Sequence, residues 1–187
     1  MSMHSALPSK ASVVIIGAGP TGLTAANLLG LAGIETLVIE HNADICDFPR
    51  AISIDDEGLR IFQAMGLLEE ILAHVRLNVQ AQYISRGHFL ARVAPEEFRN
   101  GFPLISTFHQ PTLERILLKG LERFSCVKVY FQHTLEAFKQ DEQGVHISVH
   151  TPTGLQASLE CAYLLASDGG KSSVRRILGI PMYPPSR

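Results

Sequence analysis

The sequence predicts an α/β fold, a parallel sheet crossed by a β-meander, and three observations predict it. Residues 13–16 are a continuous apolar, β-branched run, the pattern of a strand covered on both faces, and residues 36–39 form a second strand. A glycine-rich turn and a stretch of helical length lie between them. Farther along, residues 127–131, 135–139, 145–150 and 155–160 alternate in polarity and are broken by the turn signals DEQG and PTG. The 187 residues, 46% hydrophobic and 18% charged, suffice for a real core, one that buries roughly 70% of the unfolded surface.

Each element follows in order. The leader MSMHSALPSK, residues 1–10, is polar and has no apolar h-region, so it reads as a loose tail rather than a signal peptide. After the first strand, Gly17, Gly19 and Gly22 fit G-x-G-x-x-G, with Pro20 and Thr21 inside the motif. The first glycine permits the turn, the second admits a pyrophosphate to the backbone, and the third lets helix pack on strand. A helix over about residues 21–31 would aim its unpaired N–H groups at that phosphate, and Gly33 would end it. The second strand then delivers Glu40 about 20 residues past the first glycine, where an acid binds ribose hydroxyls. An acid there argues for NAD or FAD over NADP, and spacing does not choose between those two.

The middle of the chain is read from its caps and periodicities. Arg50 follows Pro49 on a loop, where it suits either a forked contact with pyrophosphate oxygens or plain solvation. Asp55 and Asp56 can cap a helix whose core stripe is Leu59, Phe62, Met65 and Leu68. Residues 77–93 read as a hairpin about Arg86-Gly87. Pro111 suits the first position of a helix that buries Leu113, Leu117 and Leu121, with Gln110 at its mouth either facing a ligand or serving as a polar cap. Residues 163–166 form a short strand returning to the main sheet. Asp168-Gly169-Gly170 then turns the chain into a helix from about Ser172, and Asp168 stands at the carboxyl end of a strand, where open α/β sheets hold ligands.

Other chemistries find little footing. A net charge of −2 with scattered Lys and Arg argues for neither nucleic acid nor an anionic membrane as partner. No run of about 18 apolar residues suggests a span. Cys46, Cys126 and Cys161 lack disulfide or metal spacing and read as buried thiols in a reducing compartment, the cytoplasm by default. The eight histidines show no ligand spacing, so no metal is expected, and Ser172 and Ser173 lack a nucleophile elbow.

Four motifs in order carry a family resemblance: Gly17 through Gly22; Pro49-Arg50-Ala51 with IDDEGLRIFQAMGL; HQPTLERIL at 109–117; and SDGGKSSVRRILGI at 167–180. Together they resemble the FAD-dependent single-component aromatic hydroxylases, class A flavoprotein monooxygenases, and within them the 3-(3-hydroxyphenyl)propionate hydroxylases. The resemblance implies a Rossmann-like FAD-binding domain over residues 11–187, with 77–108 leaning toward a substrate domain as the start of its sheet. It also implies roles: Glu40 on the adenosine ribose, Arg50 and Gln110 on the pyrophosphate and ribityl chain, Asp168 serving FAD and a transient NAD(P)H, and His41 at a position usually basic and near the adenine. The implied reaction hydroxylates a small phenolic substrate with NAD(P)H and O2 through a flavin C4a-hydroperoxide. Family members are longer, so these residues are expected to be an amino-terminal portion, with the C-terminal remainder of the family's fold absent, inactive alone and without an assignable catalytic side chain. A homo-oligomer stays open. The alternatives are another flavoenzyme of the same fold, such as a halogenase, and a non-catalytic FAD- or NAD-binding module.

Overall fold

A computed structural model describes residues 7–183. In chain order its elements are β1 (Lys10–Ile16), α1 (Pro20–Leu31), β2 (Thr36–Ile39), β3 (Ser53–Ile54), α2 (Asp56–Ala64), α3 (Leu68–Leu72), β4 (Val75–Arg76), β5 (Ala81–Ser85), β6 (His88–Val93), β7 (Phe98–Arg99), β8 (Phe102–Pro103) and β9 (Ser106–Phe108). There follow α4 (Gln110–Gly120), a 3-10 turn (Leu121–Arg123), β10 (Val127–Tyr130), β11 (Thr134–Asp141), β12 (Gly144–His150), β13 (Gln156–Ala166) and α5 (Ser173–Ile177). The chain divides into two compact units, one reaching up to Cys46 and resuming at Leu121, the other Asp47–Gly120.

The first unit is built on a six-stranded sheet in the order β10-β2-β1-β13-β12-β11. Its first four strands run parallel, with Ile16 opposite Ile39 and Ala166, and Ile39 opposite Tyr130, so their carboxyl ends form one edge. The apolar runs take this position because both faces are covered. Val14 and Ile16 of β1 join Leu37 and Ile39 of β2, Val145, Ile147 and Val149 of β12 and Leu159 of β13 in one core cluster on this sheet. Ile15 faces the other way: a Cβ on Gly22 of α1 would lie 3.4 Å from its Cγ2. Pro20 opens α1, and after its last turn Gly33 N–H bonds back to Gly30 O at 3.0 Å and Ile34 N–H to Leu29 O at 3.0 Å.

Four expectations change here. Residues 163–166 are not a separate strand but the second half of β13, whose first half pairs antiparallel with β12 and whose second half pairs parallel with β1. Residues 127–130 belong to the parallel edge beside β2 rather than to the meander. The end of the leader is ordered, since β1 begins at Lys10, Ser9 O accepts from Glu160 N–H at 2.9 Å and Leu7 packs on the core; residues 1–6 lie outside the described residues. Only Cys161 of the three cysteines is buried, and desolvation raises its pKa against backbone hydrogen bonds from Val14 and Tyr163.

The second unit holds a three-stranded sheet, β3-β9-β4, and the hairpins β5–β6 and β7–β8. Asp55 caps α2 by accepting from Gly58 N–H at 2.9 Å. Leu59, Phe62 and Met65 are buried as expected, but Gly66 ends the stripe with φ +69°, so Leu67 enters the core in place of Leu68. Arg86 and Gly87 both take positive φ, +49° and +79°, which is the turn that suits the twist of a two-residue hairpin. That hairpin exposes apolar side chains, Tyr83, Ile84, Phe89 and Leu90 among them. The region 77–108 falls wholly within this unit. Among the described residues no helix is long and apolar enough to cross a membrane.

Candidate functional site

The turn after β1 is where sequence and packing meet most tightly. Gly17 takes φ +104°, and a Cβ there would sit 2.4 Å from Ser167 O; its N–H donates to Ile39 O at 2.8 Å. A Cβ on Gly22 would meet Gly17 O at 2.0 Å. Any side chain at either place would push β1, α1 and the end of β13 apart. Gly19 differs: an added Cβ would meet nothing within 4 Å, so this glycine faces open space. Gly19 also caps α1 without any side-chain hydrogen bond, so the 12-residue helix begins with donors that no side chain satisfies. An open backbone surface before an uncapped helix start is the arrangement that receives a phosphate.

Glu40 directly follows β2 beside this turn and is buried. Its Oε2 accepts from Ala18 N–H at 2.8 Å, inside the glycine motif. Its Oε1 accepts from both the backbone N–H and the side-chain Nδ2 of Asn42, each at 2.8 Å, and His41 Nδ1 lies 2.9 Å from the same oxygen. The carboxylate thus splints the glycine turn to the loop after β2. A carboxylate offers about four acceptor positions, and the single bond at Oε2 leaves that oxygen capacity for a hydroxyl. His41 turns back on Glu40, although its side chain is largely exposed. From the other flank, Glu40 N–H donates to Tyr130 O, while Gln132 N–H donates to Asn42 O and His133 N–H to Glu40 O, all within 2.9 Å.

Asp168 lies just past β13, its Cα 3.1 Å from where a Gly17 Cβ would stand. Its Oδ2 accepts from Ser173 N–H at 2.6 Å, Ser173 Oγ at 2.9 Å and Val174 N–H at 3.2 Å, so it holds the start of α5 beside the N-cap Ser172. Burial opposes its ionisation, but hydrogen bonds from Ser172, Val174 and Ser173 outweigh that and hold its pKa below the ordinary carboxylate value.

The structure therefore gathers Gly17, Gly19, Pro20, Thr21, Gly22, Glu40, His41 and Asp168 in the first unit and places Arg50 and Gln110 in the second. Gln110 stands at the first position of α4, as expected, but it is 3% exposed. Its Oε1 accepts from Arg50 N–H at 2.9 Å and Ala51 N–H at 2.8 Å, and its Nε2 donates to the buried Glu114 at 2.7 Å. Burial forces this, because an amide removed from water must find partners. Asn42 and Glu114 were not singled out from the sequence. Their signals are short spacings: an Asn two residues past the acid, and a Glu four residues past Gln110 on one helix face.

Parallel strands ending in a glycine turn, an uncapped helix and a buried acid define a dinucleotide-binding α/β protein. The chain belongs to the FAD binding domain family, whose match runs over residues 10–187, and this decides for FAD between the two dinucleotides that the spacing left open. It is 43% identical over 180 residues to 3-(3-hydroxy-phenyl)propionate/3-hydroxycinnamic acid hydroxylase 1 of Burkholderia vietnamiensis, a match that covers 95% of this chain and 29% of that protein. The protein of Comamonas testosteroni named 3-(3-hydroxy-phenyl)propionate/3-hydroxycinnamic acid hydroxylase is 42% identical over 178 residues, with 95% and 30% covered. Among solved structures, an anhydrotetracycline hydroxylase from Streptomyces rimosus superposes with a TM-score of 0.77 at 33% identity, covering 95% of this chain and 35% of that one. The flavin-dependent monooxygenase PieE, solved in complex with FAD and substrate, gives 0.82 at 26% identity, covering 95% and 33%. The chain spans less than a third of the length of the two curated relatives.

Proposed function

We propose that this chain supplies the FAD cradle of a monooxygenase that hydroxylates a small phenolic substrate with NAD(P)H and O2. The observation that carries the reading is the contrast inside the motif, where Gly17 and Gly22 are closed by neighbouring backbone and Gly19 is open. The substrate class follows the names of the relatives.

Each residue then has a task. Gly19 admits the pyrophosphate to the backbone, and the first N–H groups of α1, from Pro20-Thr21-Gly22 onward, meet its charge. Glu40 accepts from a ribose hydroxyl at Oε2 while holding the turn through Ala18. His41 covers the adenine end. Arg50, exposed on its loop, contributes charge to a phosphate. Gln110 keeps one Nε2 hydrogen for the ribityl chain after its bond to Glu114. Asp168 fixes the turn between β13 and α5 at the edge where the cofactor and the transient nicotinamide are received. Bound FAD supplies the redox chemistry, passing electrons from the nicotinamide to O2. Residues 11–187 make up the FAD-binding domain, and no side chain in them is assigned to oxygen transfer. Three cysteines outside any disulfide suit a reducing compartment, which supports a cytoplasmic location.

The test is a titration of the purified chain with FAD, followed by flavin fluorescence, beside a parallel titration with NADH. FAD bound in preference to NADH is the expected result, and NADH bound in preference would refute the assignment. Robust NADH-dependent hydroxylation of 3-(3-hydroxyphenyl)propionate by these 187 residues alone would overturn the proposal that they supply only the cradle.

A further inference from the structure

Within the second unit one buried carboxylate lies inside the 109–117 motif but has no task in the reading above. Glu114 is 0% exposed on α4, in the middle of the apolar row Leu113, Ile116 and Leu117. Burying a carboxylate in such surroundings is costly unless it holds something in place. What it holds is Gln110, one helical turn back, whose Nε2 donates to Glu114 Oε1 at 2.7 Å. An amide has two orientations related by a flip, and they exchange donor for acceptor. A carboxylate acceptor on one side admits only the orientation that presents Nε2 to it. The other side of Gln110 must then present oxygen, and Arg50 N–H at 2.9 Å and Ala51 N–H at 2.8 Å both donate to it. These bonds span about 60 residues of chain and tie an otherwise exposed loop to the helix, with Phe48 and Ile52 on either side both 72% exposed.

We propose that Glu114 is a positioning residue: by fixing the Gln110 amide it holds the Pro49-Arg50-Ala51 backbone, and through it sets where the Arg50 guanidinium stands for a phosphate. The second half rests on the function proposed above; the first does not. Glu114 itself touches no cofactor in this scheme. Its effect reaches binding only through Arg50.

Two measurements separate the halves. Amide hydrogen exchange on the chain without ligand reads the loop directly. Glu114→Leu, close in volume and apolar, is expected to speed exchange at Arg50 and Ala51 at least about tenfold, the loss of one charge-assisted hydrogen bond, while leaving the amides of β1 and β2 as they are. Gln110→Leu should reproduce this, and Glu114→Gln, which still offers an oxygen to Gln110, should largely restore protection. Unchanged exchange in both leucine variants overturns the proposal, as does general loss of protection in Glu114→Gln. FAD titration of Glu114→Leu, Arg50→Ala and the double variant reads the second half. Each single change should weaken binding about tenfold, the double should be no worse than either, and both should flatten the dependence of affinity on salt equally. Additive losses overturn the coupling. Should Arg50→Ala bind FAD as the wild type does, the phosphate role of Arg50 fails, and exchange still decides whether Glu114 holds the loop.

Discussion

Around Gly17–Gly22 the geometry is set by backbone against backbone, whereas around Arg50 it is set by one buried side chain acting through another. In the first region a Cβ would collide with Ser167 O or Gly17 O, so the sheet and α1 fix the turn before any polar side chain is counted. In the second the loop leans on the oxygen of Gln110, itself aimed by Glu114. A site of the first kind fails by losing its fold, and one of the second kind by losing its aim. Substitutions in the two regions should therefore move different observables.

The largest effect is expected at Gly22→Ala. Its Cβ would stand 2.0 Å from Gly17 O, and neither β1 nor α1 can yield without opening the core. Such overpacking costs about 3 kcal/mol or more, which for a chain of this size lowers Tm by about 10 °C. Calorimetry checks this, and a Tm within a degree or two of wild type would show that the turn is softer than described. Gly19→Val is the counterpart that sharpens the comparison. It points into open space, so Tm should hold, but a branched side chain there keeps phosphate from the backbone and should weaken FAD binding by at least about 100-fold. Wild-type affinity in this variant would mean that the pyrophosphate lies elsewhere.

Glu40 straddles the two modes, being a side chain that bonds the backbone of the turn. Glu40→Ala leaves the Ala18 and Asn42 N–H groups without their acceptor, a loss of roughly 1.5 to 3 kcal/mol. Stability and FAD affinity should fall together, because the same carboxylate splints the cradle and meets the ribose. A fall in affinity with Tm unchanged would separate the two roles and refute the splint.

How much of this was legible in the sequence follows the same division. The glycine turn was readable because backbone collisions demand glycine at fixed spacing, and β1, α1 and β2 followed from periodicity. The hairpin at Arg86-Gly87 was readable for a like reason, since its turn requires positive φ. The continuity of β13 was not, because the switch of partner at Glu160–Cys161 from β12 to β1 is a tertiary pairing that leaves no break in polarity. The break after Ala64 was written in Gly66, but the apolar spacing ran on past it and suggested one helix. For Gln110 residue type and helix position were legible, yet burial depends on how α4 packs, so its turn inward toward Glu114 was hidden.

The smallest effect, at Asp168, tests whether a strand-end acid belongs to the backbone mode or to a ligand. Its pKa in the fold is depressed by the donors of Ser172, Val174 and Ser173 despite the opposing effect of burial. A depressed carboxyl contributes stability in full above its unfolded value of about 4 and loses it as pH falls through the lower folded value. Asp168→Asn should therefore lower stability at neutral pH by about 0.3 to 1 kcal/mol, the worth of a negative charge at a helix start, reduced where solvent screens the carboxylate. The gap from wild type should close as pH falls from about 5 to about 2. Urea midpoints of the two proteins across that range decide the matter. No gap at neutral pH would mean that the charge of Asp168 adds nothing to α5, so that the acid at this edge is held for a ligand rather than for the fold.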